Sequence, residues 1–135
     1  MLKLIIGVKG TGKTKQLIEM VNASLLTSKG DVVCVEKGDK LRFDVKYQCR
    51  LIDSENYGIT GAPALYGFVA GILASNHDVT DLYVDSALKI CEDNMDLFDE
   101  FVDKIGAYAE HSDVNFVMTA SLDESEASET VKKYI

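Results

Sequence analysis

The 135-residue chain holds 22 acidic and 14 basic residues, a net charge of −8, and is 47% hydrophobic with a single proline. That length and balance predict one globular domain, residues 1–135, without long linkers, and they argue against a partner whose nucleic-acid backbone must be wrapped by a basic stripe. Cys34, Cys49 and Cys91 are an odd number with no C-x-x-C pair, the pattern of reduced structural thiols, and neither a basic leader with a cleavage site nor a bilayer-length apolar run is apparent, so a cytoplasmic protein without a membrane span is expected.

Leu2 to Ile6 is an apolar run of strand composition. Gly7-Val8-Lys9-Gly10-Thr11-Gly12-Lys13-Thr14 follows it and fits G-x-x-x-x-G-K-[ST] at every fixed position. From Lys13 to about Ser28 apolar residues recur at helical spacing, with Leu17, Val21 and Leu25 on one stripe and Ile18 beside it, and Lys29-Gly30 ends the helix. The glycines therefore join a strand to a helix, so that successive N–H groups can form an anion cradle at the helix N-terminus. Lys13 is placed to reach β and γ phosphates, and the Thr14 hydroxyl to ligate the accompanying Mg²⁺. Val8, Lys9 and Thr11 complete the cofactor-binding loop.

Val32-Val33-Cys34-Val35 reads as a strand buried on both faces, ending at Glu36. A turn over 37–40 leads into a strict alternation, with Leu41, Phe43, Val45, Tyr47, Cys49 and Leu51 on one side and Arg42, Asp44, Lys46, Gln48 and Arg50 on the other. Period two predicts extended structure at a sheet edge, as one bent strand or two, with the local cations on its solvated face. Ala62 to Ala74 is nearly uncharged and carries Gly67 and Gly71 at small-x-x-x-small spacing; a helix packed closely on the sheet is expected, with a subunit interface as the alternative. Ser75 to Thr80 reads as a loop, in which His77 is an exposed polar residue, as is His111 farther on. Leu82-Tyr83-Val84 is a strand closing on Asp85. Met95 to His111 is an amphipathic helix, Asn115 to Met118 a strand ending in Thr119-Ala120-Ser121, and Val131 to Ile135 a last short strand.

Strands alternating with helices around such a loop predict an α/β three-layer sandwich with a mostly parallel sheet, an added edge strand, and a site at the strands' C-terminal ends. Over essentially its whole length the chain resembles a P-loop NTPase. Asp85-Ser86 after an apolar strand is similar to the Walker B element of the RecA-like branch, which implies Mg²⁺ held by Thr14 and Asp85. The same resemblance implies a catalytic role for Glu36, at the end of the strand expected beside Walker B, with Lys13; Glu36 as a turn-capping acid is the alternative. It further implies that Thr119 or Ser121, on the strand expected beside the first, serves as a polar sensor. Asp85 is followed by Ser86-Ala87-Leu88 rather than the D-x-x-G of Ras-type GTPases, so ATP is expected over GTP. With only Arg42 and Arg50 in the chain, an arginine-bearing kinase lid is hard to find. The implied activity is Mg-ATP binding with slow hydrolysis, stimulated by a protein partner or a homo-oligomer. A small-molecule kinase and a non-hydrolytic nucleotide switch are the alternatives.

Overall fold

A computed structural model describes residues 1–135 as strand β1 (Leu2–Gly7), helix α1 (Lys13–Thr27), β2 (Asp31–Glu36), β3 (Arg50–Asp53), α2 (Ala62–Ser75), β4 (Val79–Val84), α3 (Ala87–Ile90), α4 (Met95–Glu110), β5 (Asn115–Ser121) and α5 (Glu129–Lys132). The five strands form one all-parallel sheet in the order β1-β5-β4-β2-β3. Central strands buried on both faces need apolar residues in both orientations, and β2 and β5 supply them: Val32 to Glu36 and Phe116 to Ala120 are all buried.

Each face of the sheet has its own core. On one, Leu4, Val35, Leu82, Phe116 and Met118 meet α2 through Leu65 and Val69, α4 through Phe98, Phe101 and Ile105, and α5 through Val131. On the other, Ile5, Cys34, Tyr83 and Val117 meet α1 through Leu17 and Val21, together with Leu41, Val45 and Cys49. One helix cannot cover that second face, so a loop completes it.

That loop corrects the reading of residues 41–51 as an extended edge. Residues 37–49 form an irregular loop with hydrogen-bonded turns at 40–44 and 47–48, Val45 N–H donating to the Leu41 carbonyl and Cys49 N–H to that of Lys46; only Arg50–Asp53 pairs with the sheet. Leu41, Val45 and Cys49 are buried, whereas Phe43 and Tyr47 are 83% and 90% exposed. Burial thus runs every fourth residue, and the apolar alternation is only half used. Asn22 on α1 clamps the loop, its Nδ2 donating to the Asp44 carbonyl at 2.9 Å and its Oδ1 accepting from Lys46 N–H at 3.0 Å. Asn22→Ala should cost about 1–2 kcal/mol in urea denaturation, with faster amide exchange over 44–47; an unchanged midpoint would show that the loop is held by its apolar residues alone.

Helix α2 packs on the core of the sheet as expected, through Leu65 and Val69, while Gly67 and Gly71 lie on its exposed side, where an added Cβ meets nothing. Two further expectations are corrected. The C-terminal segment is a helical turn rather than a strand, because Ser128 Oγ caps it by accepting from Val131 N–H. Beyond the turn, the Tyr134 carbonyl accepts from Leu4 N–H on the outer side of β1. The strand expected at Leu82 begins earlier, at Val79, within the stretch read as a loop. All three cysteines are free and buried, and burial pushes the Cys49 and Cys91 thiols up to about 11 and about 12, which keeps them protonated and inert. No helix is long and apolar enough to cross a membrane.

Candidate functional site

The parallel register brings four strand ends together. Gly7 lies opposite Ser121, Val84 opposite Met118, and Val35 opposite Val84, so the glycine loop, Thr119, Asp85 and Glu36 share the C-terminal edge of the sheet. As expected from the sequence, β5 is the neighbour of β1, and β2 the neighbour of the strand that ends at Asp85.

A cleft of about 820 Å³ opens there. Lys9, Lys13, Lys15, Lys37, Lys40 and Lys89 line it, together with Glu36, Asp85, Thr14 and Thr119. The six lysines share the cleft with the carboxylates of Glu36, Asp39, Glu55, Asp85 and Asp93, so its charge is close to balanced in a chain of net charge −8, and the unpaired N–H groups of α1 add their partial positive charge at the helix N-terminus.

The loop geometry follows from its glycines. Gly12 caps α1 in the left-handed region, at φ 83°, where a side chain would be strained. Gly7 permits close approach: a Cβ there would sit 2.6 Å from Thr11 Oγ1. Thr11 Oγ1 donates to the Val8 carbonyl at 2.8 Å, and Lys13 Nζ to the same carbonyl at 2.9 Å, so the lysine bridges the loop it follows.

Around Asp85 the hydroxyls converge. Thr119 Oγ1 donates to Asp85 Oδ1 at 2.7 Å and accepts from Ser86 N–H at 2.8 Å; Thr14 Oγ1 lies 3.2 and 3.3 Å from the two carboxylate oxygens. Ser86 adopts a left-handed conformation at φ 58°, a local strain of about 1 kcal/mol or more that turns the chain away after the acid. Asp85 is only 8% exposed, and no lysine or arginine pairs with it, since the two ion pairs of the structure are Arg42–Asp39 and Lys132–Glu129. A nearly buried carboxylate satisfied by hydroxyls alone is an energetic liability that a bound cation would relieve.

Glu36 is 3% exposed, and its Oε1 accepts from Leu41 N–H at 3.2 Å. Burial raises its pKa above the ordinary 4.5; the backbone N–H groups of Leu41 and Lys40 oppose the shift, and the charges of Asp53 and Asp85 add to it. Asp53, at the end of β3, has a parallel role: its Oδ1 accepts from Gly38 N–H and Glu55 N–H, each at 2.9 Å. The root of the loop after β2 is thus held by two carboxylates at neighbouring strand ends. The capping role of Asp53 and helix α3 are not among the sequence expectations, although an Asp two residues before an amide it can cap is a local signal of such a turn. Ser121 lines the cleft, whereas Thr119 makes the hydrogen bond to Asp85.

No protein-family model matches this sequence, and no curated protein matches it.

Proposed function

We propose that the chain is a P-loop NTPase of RecA-like type that binds Mg-ATP and hydrolyses it slowly on its own. One observation carries the reading: a glycine loop at a helix N-terminus faces a nearly buried carboxylate that has hydroxyl partners and no cation. The backbone N–H groups of residues 9–13 would hold the phosphate chain, and Lys13 Nζ would exchange the Val8 carbonyl for β and γ phosphate oxygens. The oxygen-only pair of Thr14 Oγ1 and Asp85 suits Mg²⁺, Thr14 as a direct ligand and Asp85 through a bound water. Bound there, the ion would neutralise charge on the β and γ oxygens. Thr119 fixes the Asp85 carboxylate, and Glu36 stands on the adjacent strand as acceptor for the attacking water's proton. Arg42 and Arg50 lie outside the cleft lining, which leaves the transition-state charge to lysines and favours slow turnover until a partner adds a cation. Ser86-Ala87-Leu88 after Asp85, in place of D-x-x-G, supports ATP over GTP.

Calorimetric titration with Mg-ATP and Mg-GTP, alongside phosphate release by the purified chain, tests the reading. Saturable Mg-ATP binding with measurable release is expected, and no heat up to millimolar nucleotide would refute it. Asp85→Asn keeps an acceptor for Thr119 and so keeps the fold. It should lower the apparent Mg²⁺ affinity of the nucleotide complex by about 10–100-fold; an Mg²⁺ dependence equal to wild type would remove Asp85 from the metal site. A second reading, a nucleotide-driven switch without turnover, draws on the hydrogen bond from Leu41 N–H to Glu36, which ties the cleft to the loop after β2. It predicts binding without phosphate release.

A further inference from the structure

We propose that the loop after β2 is a docking face for single-stranded nucleic acid, with Phe43 and Tyr47 stacking on bases and the adjoining cations holding phosphates. The loop is built on a four-residue repeat: Leu41-Arg42-Phe43-Asp44, Val45-Lys46-Tyr47-Gln48, then Cys49-Arg50. In each unit the first residue enters the core, a cation follows it, and in the first two units an aromatic ring comes next. Burial recurs at 41, 45 and 49, and residues 43 and 47 between them are left exposed to solvent.

These are the two most exposed of the large apolar side chains, at 83% and 90%, on a loop that the sheet and Asn22 hold in place. The rings are therefore displayed on a fixed base. Arg42 lies 4.8 Å from the centroid of the Phe43 ring, which limits the ring's motion and sets a cation beside it. Tyr47 and the face of Phe43 away from Arg42 are open to solvent, and exposed aromatic faces of this kind serve as stacking platforms.

Charge selects the occupant. Residues 37–50 hold five of the fourteen cations and only two of the twenty-two acids; Lys37 and Lys40 line the cleft, and Arg42, which also reaches Asp39, stands with Lys46 and Arg50 as the cations of the loop outside it. A partner that repeats one anionic and one flat group per step matches a surface that repeats one cation and one ring. Single-stranded nucleic acid has that repeat; a duplex hides its base faces, and an acidic protein would satisfy the cations but not the rings. The acidic body confines contact to the loop, so the footprint is two or three phosphates rather than a wrapped strand. Arg42, Phe43, Lys46 and Tyr47 do not line the nucleotide cleft, so this face stands whether or not ATP binds.

Fluorescence anisotropy of labelled dT12 and U12 with the full chain tests it, in saturating Mg-ATP and again without nucleotide in a Lys13→Ala background, so that a loss on the ring variants seen in both belongs to the loop and not to the cleft. Binding is expected with a log–log salt slope of about −1.4 to −2.1. Phe43→Ala and Tyr47→Ala should each weaken it by at least about fivefold, and Arg42→Gln with Lys46→Gln should flatten the slope, while Lys104→Gln on α4 changes neither. Both rings are exposed, so these variants fold, and circular dichroism checks that they do. The proposal is overturned if neither oligonucleotide binds, if the ring variants bind as wild type, or if duplex of the same length binds as tightly. Self-association lost on Phe43→Ala, with no oligonucleotide binding, would assign the face to a second copy of the chain instead.

Discussion

Lys13→Ala is expected to abolish the stabilisation that Mg-ATP gives the wild-type protein. At a nucleotide concentration a hundred times the dissociation constant, binding to the native state alone adds about 2.7 kcal/mol. For a domain of this size that is a rise in Tm on the order of 8 °C. Lys13 is the one lysine whose ammonium already lies across the glycine loop, on the Val8 carbonyl, so its charge reaches the place where the phosphates would sit. A hundredfold loss of affinity would leave only about 0.4 kcal/mol at the same nucleotide concentration. Without nucleotide the variant loses one hydrogen bond and should unfold within about 1 kcal/mol of wild type. Thermal scans with Mg-ATP, Mg-AMP and no nucleotide make the measurement. AMP lacks the phosphates Lys13 would contact and should shift neither protein. An equal Mg-ATP shift in Lys13→Ala would mean that the glycine loop is not where the anion binds.

The legible parts of this fold are those set by short local rules. A glycine with a left-handed φ before a helix, a β-strand with apolar residues in both orientations, and an acid at a strand end can each be read within a few residues, and β1, α1, β2, β4 and the convergence of residues 7–14, 36, 85 and 119 follow. Residues 41–49 mislead a sequence reading because positions 41, 45 and 49 belong equally to a period of two and a period of four. What separates the two is whether Phe43 and Tyr47 are also buried, and that depends on a distant fact, the single helix α1 leaving part of its sheet face bare. Gly67 and Gly71 pose the same problem on α2: small residues at spacing four mark one side of a helix but not which side meets the sheet. Val131 to Ile135 has the composition of a strand, yet the Ser128 hydroxyl three residues earlier turns it into a helical cap.

Glu36→Gln is expected to move activity and stability in opposite directions. If Glu36 accepts the proton of the attacking water, the amide should lower ATP turnover by roughly a hundredfold while nucleotide affinity stays within a few-fold. Stability should rise at neutral pH, for a separate reason. Burial, helped by the charges of Asp53 and Asp85, holds the Glu36 carboxyl above its ordinary value of 4.5, so the folded state prefers the protonated acid more than the unfolded chain does. A carboxyl raised on folding contributes stability that is present below pH 4.5 and lost as the pH climbs through the raised value. Glutamine cannot ionise, yet its Oε1 can still accept from Leu41 N–H, so the variant escapes that loss. The gap in Tm between Glu36→Gln and wild type should therefore be positive at pH 7 and above and should close as the pH falls toward 4.5. Thermal scans across that range measure it, and steady-state phosphate release at pH 7 measures the rate. Unchanged turnover with the predicted Tm gap would leave Glu36 as a buried acid that anchors the loop, with water activated elsewhere. No Tm gap at pH 7 would mean that solvent reaches the carboxylate, and the desolvation that makes it a stronger proton acceptor would be gone with it.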